Sequence, residues 1–200
     1  MSIISATTIC NEALTFLGES LLLTFPEESR SSDLCEVYYD RIVARELSKH
    51  PWNFALVMES LTQAETSPPF EFSFQYVLPP DLLRILRVYP PKYKWRRVGQ
   101  YLMTNLNTVS IEYITLVDES LFSPTFSEVV SARLAMSLAE IITERADKLT
   151  QAANWYQLAL QEAHTVDSQE HSVDEMENTS VVDVRTNNLD PFYQTRPVST

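Results

Sequence analysis

The chain has 200 residues, with 27 acidic and 15 basic side chains, a formal net charge of −12 and only two glycines. This length predicts one main domain, because domains usually hold about 100–200 residues. The two glycines, Gly18 and Gly99, lie far apart. This separation excludes a Walker phosphate loop, a dinucleotide fingerprint and a nucleophile elbow, since each motif needs at least two glycines at fixed short spacing. The acidic excess also disfavours a protein that wraps nucleic acid, because such proteins present cations to phosphates.

The first 50 residues predict two helices. Apolar residues recur at three- and four-residue steps from Ser5 to Leu17, and Gly18 follows as a stop signal. Ser31-Ser32-Asp33 offers N-caps for a second helix that runs to about Lys49. His50-Pro51 ends this helix, because proline disfavours helical geometry in the residue before it.

Residues 52–117 predict a small antiparallel sheet inserted between helices. Phe70–Tyr76 alternates strictly between aromatic and polar residues and is the clearest strand pattern in the chain. Further strand-like runs are Leu82–Tyr89, Tyr101–Met103 and Val109–Val117. Trp52 and Phe54 stand where the second helix gives way to this region. We interpret them as a structural junction that seats the sheet on the helices, with an interface anchor as the alternative.

Helical periodicity returns over Thr125–Lys148 and again over Thr150–Val166. Four residues of the third helix are small enough for close packing, including packing with a neighbouring subunit: Ser131, Ala132, Ala135 and Ala139. The predicted fold class is α+β, mainly helical with about four helices, an inserted small antiparallel sheet and an extended C-terminal arm. Residues 1–168 form the predicted core, with helices over 5–49 and 124–167, and residues 169–200 form the arm.

The arm has six acidic and two basic side chains and no periodicity. One interpretation is a disordered terminus. The other is an arm that becomes ordered on a partner, because solvated tails seldom carry so many large apolar residues. Those residues are Val181, Val182, Val184, Leu189, Phe192 and Tyr193.

No catalytic, cofactor-binding or metal-binding group stands out. The three histidines form no metal-binding pair at short spacing, and we interpret each as structural. Cys10 and Cys35 fit no metal spacing and are expected to be buried small residues. The acid pairs Glu27-Glu28 and Asp118-Glu119 have no histidine nearby in sequence. With no basic leader and no run of about 18 apolar residues, we expect a soluble protein made in a reducing compartment.

The most concentrated positive charge lies in one short segment that also carries aromatic residues. Its members are Lys92, Tyr93, Lys94, Trp95, Arg96 and Arg97. Three interpretations stay open: contact with a nucleic-acid backbone, docking against the acidic surface of an identical neighbour, and a solvated hairpin edge kept from aggregating by its charge.

Several segments together resemble a known family, the head-to-tail adaptor of short-tailed bacteriophages, also called tail tubular protein A. The resemblance covers roughly residues 5–170 in matching order, and no single motif is diagnostic. The segments are Ile9–Leu14, Leu17–Glu19, Tyr39-Asp40, His50–Ala55, Tyr76–Val88, Phe126, Leu134-Ala135, Leu138-Ala139, Tyr156 and Ala163. The junction His50–Ala55 and the strand that ends in Leu78-Pro79-Pro80-Asp81 are the most distinctive.

This resemblance implies a structural protein of the virion neck, assembled in the host cytoplasm, with no catalysis and no cofactor. Members of the family form a ring, usually of twelve copies, between the portal protein and the tail nozzle protein. The ring leaves a channel through which double-stranded DNA passes, and a tail fibre or spike is a further possible partner. It also implies ring helices over 5–49 and 124–167 and a portal-docking arm over 169–200. The alternatives are a non-viral acidic helical binding or regulatory module and, third, a hydrolase with an unrecognised site.

Overall fold

The computed structural model describes residues 4–143 and 146–170. Within them the helices are α1 (Ala6–Leu17), α2 (Arg30–Lys49), α3 (Pro124–Thr143) and α4 (Ala146–Gln169). The strands are β1 (Leu56–Ser60), β2 (Phe74–Val77), β3 (Leu82–Tyr89), β4 (Trp95–Val98), β5 (Tyr101–Thr104) and β6 (Ser110–Thr115). Short 3-10 helices span Asn53–Ala55 and Glu119–Leu121. The predicted α+β class, with four helices around an inserted antiparallel β region, is confirmed.

The ends of α1 and α2 follow from their capping residues. Ser5 caps α1 by accepting a hydrogen bond from the Thr8 amide, and Gly18 ends it in the left-handed region at φ 86°. The predicted start of α2 was wrong by a few residues, because Ser29 is the N-cap. Ser32 lies inside the first turn, where its hydroxyl accepts from the Glu27 amide at 2.9 Å.

Helix α3 is the central helix of the bundle and packs against α1, α2 and α4. Ser131, Ala132, Ala135 and Ala139 are fully buried within the chain itself. The expectation that these small residues serve contacts with another subunit is therefore wrong, since the chain's own helices already cover them. The predicted break between the third and fourth helices was also misplaced, because α3 ends at Thr143 and α4 begins at Ala146.

The β region consists of two three-stranded antiparallel sheets, where the sequence predicted one. Strand order is β1-β6-β3 in the first sheet and β2-β5-β4 in the second. Phe70–Tyr76 is not one strand, because β2 begins only at Phe74. Glu71 has φ 71°, which breaks the extended run, and Phe70 is 74% exposed while Phe72 is buried.

The first sheet lies between the helices and the second sheet. On β6, Ile114 belongs to the helical core, whereas Ile111 and Tyr113 pack in a second core with Tyr76 and Leu102 of the second sheet. This alternation follows from the two-residue period of a strand. The second sheet is therefore the layer farthest from the helices, and its edge strand β4 is exposed along its whole length.

Candidate functional site

The basic segment is an edge strand and the turn before it. Trp95–Val98 forms β4, which pairs only with β5 among the described strands. Lys92 precedes it in a turn at φ 77°. Tyr93 is 57% exposed and Trp95 is 40% exposed. We call this surface, residues 92–98, the basic edge. Its cations and aromatic rings face solvent at the rim of the outer sheet.

One carboxylate partly neutralises the basic edge. Lys94 Nζ lies 2.6 Å from Glu71 Oε1, and Arg96 Nη1 lies 3.2 Å from Glu71 Oε2. The hydrogen bond from Lys94, with the charges of Arg96 and Lys94, lowers the pKa of Glu71. Lys92 and Arg97 form no ion pair with any residue in 4–143 or 146–170. The basic edge therefore keeps a positive charge on a chain that is strongly negative overall.

A groove with a mostly apolar lining runs beside the basic edge. It has a volume of about 290 Å³, and its lining residues are Pro69, Phe70, Glu71, Phe72, Arg96, Val98 and Met103. Sequence reasoning missed this groove because it placed residues 70–73 inside a strand. No local signal reveals it, because the alternation of residues 70–76 is that of a strand.

Trp52 and Phe54 lie at the meeting point of α2, the first sheet and α3. Trp52 is 1% exposed, and its Nε1 donates to the Glu46 carbonyl oxygen at 3.0 Å. Its ring lies 5.0 Å from that of Phe126, measured between centroids, and 6.2 Å from that of Phe54. The structure therefore places Trp52 in the core, away from any exposed interface.

Two histidines that are far apart in sequence meet beside Trp52. The His50 and His164 rings stack with centroids 4.3 Å apart. His50 Nε2 lies 2.8 Å from Asp167 Oδ2, and the other carboxylate oxygen of Asp167 accepts from the Asn53 amide at 2.9 Å. These contacts fasten the end of α4 to the end of α2. Sequence reasoning missed them because no local pattern joins residues more than 110 positions apart.

The histidine pair predicts a pH dependence of stability. Burial, with the nearby His50, lowers the pKa of His164 below its ordinary value, although the charge of Asp167 opposes this. As pH falls through about 6.5, His164 becomes protonated in the unfolded state but stays neutral in the folded state. Protonation therefore favours unfolding, and the free energy of unfolding decreases. We therefore expect the urea midpoint to fall from pH 7.5 to pH 5.5, and to fall less in His164→Gln. In a matched His171→Gln variant, the urea midpoint should change with pH as it does in the wild-type chain. If the midpoint of His164→Gln also changed as much as that of the wild-type chain, His164 would not be the source of the pH dependence.

The other residues considered in the sequence have structural partners. Glu27 accepts from the amides of Leu23 and Thr24, and Asp118 accepts from the amide of Ser120; these bonds lower the pKa of both carboxylates. Glu119 accepts a hydrogen bond from the Tyr39 hydroxyl at 3.1 Å.

Cys10 and Cys35 are fully buried on α1 and α2, as predicted for small apolar residues. The nearby Cys35 thiol, together with burial, raises the pKa of the Cys10 thiol.

Several expectations fall outside the described residues or concern features absent from them. The residues predicted to dock on the portal lie outside the described residues; they are Val181, Val182, Val184, Leu189, Phe192 and Tyr193. Over 4–143 and 146–170, no group of three or more His, Cys, Asp or Glu side chains is placed to hold a metal ion. Among the helices of the same ranges, none combines the length and apolar character that crossing a membrane requires.

No family model matches the chain, and no curated protein matches it significantly.

Proposed function

We propose that this chain is a structural virion protein, a head-to-tail adaptor of the tail tubular protein A kind. In this proposal, copies of the chain form a ring that joins the portal protein to the tail nozzle and leaves a channel for the genome. The observation that carries the proposal is where the two most distinctive resembling segments lie. His50–Ala55 makes the joint between α2 and the first sheet, and Tyr76–Val88 crosses from the second sheet to the first. The resemblance therefore falls on the connections that organise the fold.

The charge distribution supports closure into a ring. A chain with net charge −12 and one exposed basic edge offers two complementary surfaces to identical neighbours. Head-to-tail contact between unlike surfaces closes a ring when the rotation between subunits allows it. An acidic channel wall would also let a DNA duplex pass without being retained, because retention depends on cations that displace its counterions.

The lowered pKa values of three surface carboxylates suit a structural role. A carboxyl group that serves as a general acid usually has a raised pKa and lies in a cleft. The pKa values of Glu27, Glu71 and Asp118 are displaced downwards, by hydrogen bonds at the surface. This arrangement is typical of capping and turn residues.

Imaging tests the proposal directly. The full chain is mixed with portal and nozzle proteins from the same genome, and the assembly is examined by electron cryomicroscopy. We expect a ring at the neck whose subunits fit α1–α4 and the two sheets. Density at that joint from a different polypeptide would overturn the proposal. A chain that stays monomeric and never joins the portal would favour the acidic binding module instead.

A truncation tests the portal-docking arm separately. Cutting the chain after Glu170 removes Val181, Phe192 and Tyr193 but keeps Asp167 with its contacts to His50 and Asn53. We expect the shortened chain to keep the circular dichroism spectrum of the folded core and to lose portal co-purification by at least about tenfold, since docking apolar residues contribute more than the roughly 1.4 kcal/mol that tenfold represents. Undiminished co-purification of the truncated chain would remove the arm from the proposal.

A further inference from the structure

A second concentration of positive charge lies far from the basic edge, between α2 and α3. There a cleft of about 270 Å³ is lined by Tyr38, Arg41, Ile42, Arg45, Arg133 and Ser137. No sequence pattern indicates this cleft, because two of its arginines belong to α2 and the third to α3, some 90 positions later. We call it the arginine cleft.

Two of the three charges of the arginine cleft, those of Arg41 and Arg45, are not balanced by the described residues around it. Arg41 and Arg45 are exposed and make no hydrogen bond or ion pair with any residue the structure describes. They stand four positions apart on one helix face, where like charges destabilise the helix. Arg133 lies behind them, with its Nε buried, without a hydrogen bond, and 3.8 Å from Glu46 Oε1. Glu46 already accepts from Lys49 Nζ at 2.7 Å, so it leaves Arg41 and Arg45 uncompensated.

The residue type indicates the chemistry of the missing partner. Arginine presents a planar fork of N–H donors that matches the two oxygens of a carboxylate. The phenol of Tyr38 and the hydroxyl of Ser137 add neutral polar groups at the rim. Three arginines around one cleft therefore suit several carboxylates held close together, as in a short acidic stretch of polypeptide.

The chain contains such a stretch directly after the described part of α4. Asp174, Glu175 and Glu177 begin five residues beyond Gln169, which allows up to about 17 Å of extended chain. The contact between His50 and Asp167 places the end of α4 beside the end of α2. From there Lys49, Arg45 and Arg41 run back along α2 at four-residue spacing, over about 12 Å. The acidic stretch is therefore long enough and close enough to reach the cleft.

We propose that the arginine cleft binds the acidic stretch Asp174–Glu177 of the same chain. The bound stretch would hold the start of the C-terminal arm against α2 and leave the apolar residues from Val181 onward available to a partner. This contact is independent of the proposed virion role, since it requires one chain alone and no ring.

Amide hydrogen exchange of residues 171–180 in the full chain tests the proposal, with rates compared to the intrinsic rate of each sequence. We expect exchange at least about tenfold slower in the wild-type chain than in Asp174→Lys/Glu175→Lys/Glu177→Lys, because a tenfold change needs only about 1.4 kcal/mol. Arg41→Glu/Arg45→Glu should lose the same protection, and the two sets combined should recover it. Arg30→Glu, an exposed arginine of α2 outside the cleft, is the matched control and should change nothing.

Four outcomes would overturn the proposal. The first is exchange at the intrinsic rate in the wild-type chain, and the second is protection that survives the arginine reversal. The third is protection that disappears on dilution, because the occupant would then be a second copy. The fourth is binding of duplex DNA or inorganic phosphate that is lost in Arg41→Glu/Arg45→Glu, because the cleft would then serve phosphates. The acidic-stretch variant keeps the test valid even if the arginine variant unfolds, since its substitutions lie beyond α4.

Discussion

Replacing Trp52 by alanine should destabilise the chain by about 3–5 kcal/mol, the usual cost of deleting a large aromatic side chain from a core. Trp52 is 1% exposed and packs against the rings of Phe126, Phe54 and His164. Its Nε1 donor to the Glu46 carbonyl would also be lost. The free energy of unfolding of a domain is only about 5–15 kcal/mol. This one substitution should therefore remove a large share of that free energy. Urea unfolding followed by circular dichroism measures it.

Trp95→Ala is the matched control for this prediction. Trp95 is the same residue type, but it is 40% exposed on the edge strand β4. Its replacement should cost less than about 1 kcal/mol, as surface substitutions away from special features do. If the two variants lost equal amounts of the free energy of unfolding, Trp52 would not be the residue that joins the helices to the first sheet.

The helices were predictable from the sequence because apolar residues recur along each of them at helical spacing. Spacings of three and four residues identified all four, and Gly18 and His50-Pro51 marked two ends correctly. Where the prediction failed, local and tertiary preferences differ. Phe70–Tyr76 alternates as a strand does, but Glu71 leaves the extended region and turns its carboxylate to Lys94 and Arg96. The extended run is therefore broken at Glu71, where the carboxylate pairs with Lys94, 23 positions later in the chain. The alternation of residues alone did not reveal this break.

The candidate sites were predictable only where their residues are neighbours in sequence. The basic edge was found because its four cations lie within six residues. The arginine cleft and the contact between His50, His164 and Asp167 were not found, since each joins helices that are distant in the chain. A period of 3.6 residues shows which face of a helix is buried, but it does not show which faces of two helices meet. That information lies in the packing.

If the chain has the proposed adaptor role, reversing the basic edge should strongly reduce assembly. Lys92→Glu, Lys94→Glu, Arg96→Glu and Arg97→Glu together would set like charges against an acidic neighbour. Like-charge juxtaposition across an interface costs several kcal/mol. We therefore expect the yield of complete tailed particles to fall by at least about tenfold, since tenfold corresponds to about 1.4 kcal/mol. Complementation of a phage that lacks the gene, followed by plaque counts and electron microscopy, gives the measurement.

A charge swap separates docking from folding in this experiment. Glu71→Lys combined with Lys94→Glu and Arg96→Glu keeps the local ion pairs of the wild type with their signs exchanged. The folded outer sheet should survive, with an unchanged circular dichroism melt, while the formal charge of positions 92, 94, 96 and 97 falls from +4 to 0. If docking depends on the positive charges of Lys94 and Arg96, this variant should assemble less well than the wild-type chain. If it builds particles as well as the wild-type chain, Lys94 and Arg96 serve only the contact with Glu71, and docking does not depend on their charges.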